Sequence, residues 1–117
     1  MENVSAVCLV LTTWPASTAV EPFARALVEA RLAACVHVLE AGRSFYRWQG
    51  AVEDAPERQL VIKTTRSRVP ALEACLRAAH PYDVPEWLVC DAEASSPYGA
   101  WIHESVAAGT DGIGGDG

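Results

Sequence analysis

A single extended segment, Ala34–Trp48, limits the folds open to this chain of 117 residues. Its sequence, ACVHVLEAGRSFYRW, predicts one long strand. A second strand is predicted over Arg58–Thr65 after a turn-rich connection at Gly50–Glu57, so that the two strands form a hairpin. A strand of this length spans roughly 50 Å at about 3.3 Å per residue, whereas a helix of about fifteen residues covers only ~23 Å. Much of the hairpin must therefore extend beyond the core.

Three aromatic residues, Phe45, Tyr46 and Trp48, lie in the outer part of this hairpin. Their rings add several hundred Å² of apolar surface by the usual area per ring. A monomer does not ordinarily leave such a patch in water. The segment therefore predicts that the hairpin packs against another copy of the chain.

The elements before the hairpin are a strand and a helix. Val4–Thr12 is a near-continuous apolar run, which predicts a central strand covered on both faces. Thr18–Glu21 has the spacing of a capping box, and the helix that follows is expected to end near Leu32 or Ala33. The residues at helical spacing in it are Val20, Phe23, Leu27 and Val28.

The elements after the hairpin follow the same pattern. A second helix is expected to begin at Ser67 or Arg68 and to stop before Pro81. A last short strand is expected within Pro85–Cys90, and Tyr98–Val106 has weak helical spacing. The apolar face of the second helix comprises Val69, Leu72, Cys75, Leu76 and Ala79.

The predicted order of elements is β-α-β-β-α-β with an added C-terminal helix. This is an α+β, ferredoxin-like arrangement, in which a four-stranded antiparallel sheet carries two helices on one face. One domain is expected over residues 1–108. Residues 109–117, which hold five glycines in nine positions, are expected to form a flexible tail.

Composition narrows the functional classes. The formal net charge of −6 argues against recruitment of nucleic acid by phosphate neutralisation. No signal peptide or membrane span is recognisable, so a cytoplasmic location and no membrane partner are expected. The four cysteines form no CxxC pair, which argues against a structural zinc site. They are expected to be small, buried apolar residues.

Several motifs together resemble the CutA divalent-cation tolerance family, and the resemblance covers about Val4–Val106. It implies a ferredoxin-like subunit in a tight homotrimer, whose hairpins reach into neighbouring subunits, and a link to tolerance of copper and other divalent metals. It also implies an architecture like that of trimeric PII-type signalling proteins. The motifs are RLAACVHVL at 31–39, SFYRWQG at 44–50, IKTT at 62–65, HPYDVPE at 80–86, and Tyr98 with Trp101. The predicted oligomer interface comprises Phe45, Tyr46, Trp48 and Trp101.

The chain departs from the family pattern at several positions. Where the family usually has Asn this chain has His37, and Gly99 stands where leucine is usual. Glu40-Ala41 replaces the usual Pro-Gly, and the glycine has moved to position 42, which predicts a bend or bulge shifted by one residue. Some members carry three residues regarded as copper ligands. The matching positions here are Thr12, Ala79 and His80, so only the histidine is kept.

The candidate ligand residues cluster in the stretch HPYDVPEW, residues 80–87. His80 offers an imidazole and Glu86 a carboxylate, and these two are the first candidates for a metal site. Tyr82, Lys63 and Glu57 are predicted to line a cleft between subunits. Two further candidates, Cys35 and His37, share one face of a strand, where sulfur beside imidazole suits Cu(I) or Zn(II).

Three functions follow from these features. The first is a trimeric, cytoplasmic protein of divalent-metal tolerance that binds copper or another divalent cation weakly, with no obligatory cofactor. The second is a PII-like sensor or scaffold for a small molecule or a protein partner, without a physiological metal. The third is a small hydrolase or transferase that uses a cysteine or Glu86. Enzyme activity is not expected, because no phosphate-cradling glycine loop, HExxH or GxSxG occurs.

The glycine-rich tail generates a direct prediction. Removal of residues 109–117 should leave the melting temperature and the oligomeric state unchanged, because only Ile113 among them could anchor the tail. Differential scanning calorimetry and light scattering on the truncated chain check this. A marked fall in melting temperature would show that the tail is a docked element.

Overall fold

The structure, a computed structural model, describes residues 5–107. The predicted tail at 109–117 lies outside the described residues. The elements in chain order are β1 (Ala6–Pro15), α1 (Glu21–Glu29), β2 (Cys35–Val38), β3 (Gly42–Trp48), β4 (Ala51–Thr64), a 3₁₀ turn (Arg66–Arg68), α2 (Val69–Ala79), β5 (Leu88–Glu93) and α3 (Ser96–Ser105).

The sheet is antiparallel throughout, with the strand order β2-β4-β1-β5. β3 continues the line of β2 and pairs with the outer half of β4. The register of the three central strands is described by Cys8 on β1, which lies opposite Thr64 on β4 and Asp91 on β5. The predicted ferredoxin-like order is confirmed by this topology.

The core lies between the sheet and the helices α1 and α2. Leu27 of α1 and Leu72 of α2 are fully buried against Val10, Leu60 and Ile62 of the central strands. Burial of one such side chain contributes about 1.5–3 kcal/mol. This face of the sheet accounts for most of the buried apolar area.

A second, smaller cluster lies on the opposite face of the sheet. Successive strand residues point to opposite faces, so Val7 faces away from the side on which Cys8 is buried. Val7 and Ala34 pack there against Ile102 and Val106 at the end of α3. The C-terminal helix therefore covers one corner of the face that α1 and α2 leave open.

The hairpin differs from the predicted single strand. β2 ends at Val38, opposite Leu60, and β3 begins at Gly42, opposite Glu57. The three residues 39–41 thus stand opposite only two residues of β4. The hairpin strand therefore has one extra residue here, which is a β-bulge. The extra residue lies within 39–41, immediately before Gly42.

The connection after β3 is shorter than predicted. The predicted loop over Gly50–Glu57 is wrong, because β4 begins at Ala51 and the turn consists of Gln49 and Gly50 alone. Both turn residues have positive φ, 50° and 84°. A two-residue turn of this hand matches the twist of the flanking strands, so pairing continues to the hairpin tip.

The helix ends also differ from the prediction. Val20 precedes α1 without a side-chain hydrogen bond, so the expected capping box does not form. The helix stops at Glu29 rather than near Leu32, because Arg31 adopts φ of 61°, which ends the helical path. α2 begins at Val69, after the 3₁₀ turn, and gives way at His80 to extended backbone before Pro81.

The cysteines are not uniformly buried as expected. Cys8 is buried, Cys35 and Cys75 are half-buried, and Cys90 is exposed. Cys90 is paired with Leu9 and therefore lies on the face opposite Cys8. All four thiols are free.

The hairpin makes the molecule long, with extents of 49 × 27 × 23 Å. Its radius of gyration is 15.6 Å, against about 13 Å for a compact chain of this size. Phe45 is 70% exposed and Trp48 50% exposed. Within residues 5–107, no helix is long and apolar enough to cross a membrane.

The hairpin turn yields a matched pair of substitutions. A Cβ at Gly50 or at Gly42 would meet no atom within 4 Å, but only Gly50 has positive φ. Gly50→Ala should therefore lower the free energy of unfolding by about 1–2 kcal/mol through backbone strain alone. Gly42→Ala should be neutral or slightly stabilising. Equal effects in urea unfolding would contradict this account of the turn.

Candidate functional site

The connector between α2 and β5, residues 80–87, closes an open edge of the sheet. β5 pairs with β1 only as far as Leu11, so within residues 5–107 no strand lies beside Thr12–Pro15 on that side. The connector lies there instead. The Thr12 hydroxyl donates to the Glu86 carbonyl at 2.6 Å, and the His80 ring lies 2.7 Å from the Thr13 carbonyl.

Both nitrogens of His80 are engaged in this connector. Nδ1 accepts the Tyr82 backbone N–H at 3.0 Å. The Thr13 carbonyl can only accept, so Nε2 carries the proton and donates to it. The ring is buried and packs edge-on against Trp14, with centroids 4.9 Å apart. A metal at His80 would have to displace one of these hydrogen bonds, so the geometry weighs against the predicted ligand role.

Glu86 is held by a residue that sequence reasoning missed. Gln59 Nε2 donates to Glu86 Oε2 at 2.9 Å and to the Thr12 carbonyl at 2.8 Å. The only sequence feature that could have indicated this role is strand alternation, which places Gln59 on the face opposite the buried Leu60. The structure brings His80 and Glu86 into one connector, but their side chains bond to different partners.

Tyr82 joins the connector to the hairpin. Its hydroxyl donates to Glu57 Oε2 at 2.9 Å, and its ring lies 4.9 Å from that of His80. Burial, followed by the hydrogen bond to Glu57, raises the pKa of Tyr82 to about 12. The predicted proximity of Glu57 and Tyr82 is therefore present within one chain.

A groove of about 760 Å³ opens between the hairpin and the connector. This volume is in the usual range for ligand sites. Its aromatic lining comprises Phe45, Tyr46 and Trp48 of β3 together with Tyr82.

Three carboxylates, Glu57, Asp83 and Glu86, line the same groove, and its lining includes no Lys, Arg or His. Ion pairs within residues 5–107 include Arg43–Asp54, Arg66–Asp91 and Arg77–Glu73, and none of these three involves a groove carboxylate. Among the described residues, the lining of the groove therefore carries negative charge without a cationic side chain.

Lys63 does not belong to this groove. It lies six residues beyond Glu57 on β4, about 20 Å away at the rise of a strand. Its ammonium donates to the Tyr98 hydroxyl at 3.1 Å, and that hydrogen bond raises the pKa of Lys63. Lys63 is therefore far from Tyr82 and Glu57 within one chain, and the predicted cleft between subunits stays a prediction.

The second metal candidate lies beside Lys63. Cys35 is opposite Lys63 and His37 is opposite Val61, so the two candidates share a face as expected. In the described part of the chain, no group of three or more His, Cys, Asp or Glu side chains is placed to hold a metal ion. Metal binding by Cys35 and His37 stays a prediction that needs ligands from elsewhere.

Trp101, the remaining predicted interface residue, lies on α3. It stacks on Tyr98 with ring centroids 5.4 Å apart, and both rings are partly exposed. Tyr98 in turn receives the Lys63 hydrogen bond. Trp101 is thus part of a second exposed aromatic pair, separate from the hairpin residues.

The raised pKa of Tyr82 predicts a change at high pH. Because the folded state favours the neutral phenol, this stabilisation is complete below the usual pKa near 10. It is lost as the pH rises through about 12. A spectrophotometric titration at high pH should show one late tyrosine step, absent in Tyr82→Phe and retained in Tyr98→Phe. A late step that survives in Tyr82→Phe would contradict the assignment.

Comparison with known proteins identifies relatives of this chain. The sequence pattern of the family described as CutA1 divalent ion tolerance protein matches residues 8–105. The divalent-cation tolerance protein CutA of Thermus thermophilus is 42% identical over 99 residues, covering 84% of this chain and 96% of that protein. Protein CutA of Mus musculus is 39% identical over 84% of this chain, which spans only 56% of the mouse protein.

The fold is shared as well. The solved structure of the divalent cation tolerance protein (Cut A1) from Thermus thermophilus superposes with a TM-score of 0.82 at 40% identity. That match covers 86% of this chain and 99% of the other. The chain belongs to the CutA1 divalent ion tolerance protein family.

Proposed function

We propose that this protein acts in tolerance of divalent metal ions, as a homotrimer that binds such ions weakly in the groove between hairpin and connector. The observation that carries the proposal is the uncompensated charge of Glu57, Asp83 and Glu86 in one groove. Carboxylate oxygens are hard ligands that attract divalent cations. Copper is one candidate ion, and no bound metal is obligatory for the fold.

Weak binding follows from the number of ligands that one chain offers. Glu57 and Glu86 already accept hydrogen bonds from Tyr82 and Gln59. Divalent ions in proteins take four to eight ligands, depending on the metal. Water or a neighbouring subunit must therefore complete the coordination shell.

The trimer is supported by the exposed apolar surface of the hairpin. Phe45, Trp48 and Val52 all lie at its tip with at least half of their surface in water. Burial of such aromatic surface is the main source of interface energy. A neighbouring copy supplies a cover of matching chemistry.

We also propose that the protein works in the reducing cytoplasm. Its four free cysteines support this location, since disulfides are rare in that compartment.

The trimer is tested by light scattering. The expected mass is three times the 12.5 kDa of the chain. Trp48→Ala should destabilise the assembly by about 3–5 kcal/mol if the ring is buried between subunits. Trp48→Phe should retain most of the stability. A folded monomer at low concentration would refute the assembly.

The metal site is tested by calorimetric titration of tag-free protein with Cu(II) and Zn(II) in parallel. Glu86→Gln and Glu57→Gln should each weaken binding about tenfold or more, because each removes a charged ligand without changing its size. Glu93→Gln, an exposed carboxylate at the end of β5, is the matched control and should bind as the unmodified protein does.

His80 requires its own variant in that titration. His80→Ala breaks the hydrogen bonds to Thr13 and Tyr82, so its effect on binding must be compared with its effect on folding. Unchanged metal binding in Glu57→Gln, Glu86→Gln and His80→Ala would show that residues 80–87 have a structural role only.

A second candidate function is a PII-like sensor of a small molecule or a protein partner. The size of the groove favours it, since about 760 Å³ with aromatic walls exceeds what a metal ion needs. A thermal-shift screen of metabolites without added metal separates this function from the first. The hydrolase or transferase alternative would require activity that is lost in Cys35→Ser or Glu86→Gln.

A further inference from the structure

The groove differs in chemistry along its length. Its carboxylates lie near the connector, where Glu57 meets Tyr82 and Glu86 meets Gln59. Toward the hairpin tip the lining becomes aromatic, with Tyr46 opposite Glu53 and Trp48 opposite Ala51. Four residues of β4 separate the level of Tyr46 from Glu57, about 13 Å at the rise of a strand.

The bulge places these two chemistries on one side of the sheet. Beyond it, the even-numbered residues of β3 pair with the odd-numbered residues of β4. Tyr46 and Trp48 therefore share the face of Glu57, the face that α1 and α2 do not cover. If β3 kept the register of β2, Tyr46 would lie opposite Val52 and face the other side.

The polar end of the groove is held in place before any ligand arrives. The Tyr82 backbone N–H is bonded to His80, and the Tyr82 hydroxyl is bonded to Glu57. Gln59 holds Glu86 from the sheet. Each carboxylate has lone pairs left for a further donor. A ligand that donates N–H groups here meets charges that are already ordered, which lowers the ordering cost of binding.

We propose that the groove binds a small organic ammonium ion with an apolar, preferably aromatic, body. The ammonium group lies at the carboxylate end of the groove, beside Glu57, and the body lies along Tyr46. This inference rests on the proposed function, because it takes the groove to be a cation site, and it adds the class of cation.

Two physical reasons favour this class over a bare metal ion. Aromatic faces attract ammonium groups and also bury apolar surface. A metal ion gains nothing from the aromatic half of the groove, and its coordination shell is incomplete within the described chain. An arylalkylamine uses both halves, since its charged end and its ring lie at opposite ends of the molecule, as the carboxylates and the aromatic residues do in the groove.

Three ligands of matched shape test the proposal on the unmodified protein by calorimetry: 4-phenylbutylamine, the neutral 4-phenylbutan-1-ol, and butylamine. The amine with the ring should bind about tenfold or more tightly than either of the others, because the alcohol lacks the charge and butylamine lacks the body. Equal affinity for the ring-bearing amine and the alcohol would overturn the ammonium assignment. Equal affinity for the two amines would overturn the role of the aromatic wall. Failure of all three to bind, as when another subunit fills the groove, also overturns the proposal.

Matched variants test which residues form the charged half and the aromatic half of the groove. Glu57→Gln should weaken both amines about tenfold, and Glu93→Gln should weaken neither. Tyr46→Leu should weaken only the ring-bearing amine. Its control is Tyr98→Leu, since Tyr98 is 41% exposed against 42% for Tyr46 but lies on α3, outside the groove lining. Weakening by Tyr98→Leu equal to that by Tyr46→Leu would overturn the placement.

A zinc titration on the same samples separates this inference from the proposed function. Zinc binding that depends on Glu86, without amine binding, would overturn the inference and leave the metal proposal standing. Amine binding with the expected pattern, without zinc or copper binding, would support the inference and overturn the metal role.

Discussion

The hydrogen bonding at the end of β1 is the constraint on which the rest of the site depends. Thr12 and Thr13 are buried, yet β5 does not extend far enough to pair with them. A buried carbonyl without a partner costs about 1–3 kcal/mol. Gln59 and His80 supply the donors for these two carbonyls from side chains. The path of residues 80–87 follows from that need, and the groove lies between this path and the hairpin.

This constraint gives His80 a structural meaning. A histidine between a helix and a Pro-Tyr pair has the chemistry of a metal ligand, and sequence reasoning gave it that role. In the fold, its two nitrogens join the backbone of Thr13 to that of Tyr82. The His80 ring thereby positions Tyr82, whose hydroxyl donates to Glu57. His80 contributes to the groove by positioning Tyr82. The carboxylates are therefore the side chains proposed to contact a cation.

Local pattern and chain length were enough to predict much of the fold. The apolar run of β1, the helical spacing around Leu27 and Leu72, and the excess length of the hairpin each depend on nearby residues. The site was harder to predict because its contacts are distant in sequence. Thr13 and His80 are 67 positions apart, and Gln59 is 27 positions from Glu86. The distance between Lys63 and Glu57 within one chain was likewise not predicted, since it depends on their separation along β4, and a motif does not report that distance.

The bulge at residues 39–41 has a consequence for how this chain can vary. Val36 and Val38 of β2 face the helices, whereas Tyr46 and Trp48 of β3, also even-numbered, face away from them, and the extra residue absorbs this change. The face of Tyr46 and Trp48 is set by their pairing with β4. Deletion of one of the three residues would therefore remove the bulge and join β2 to β3 as one regular strand, with the pairing of Tyr46 and Trp48 unchanged. The bend can thus lose a residue while the groove stays in place, whereas a slip of β3 along β4 by one residue, which the two-residue turn prevents, would move both rings to the other face.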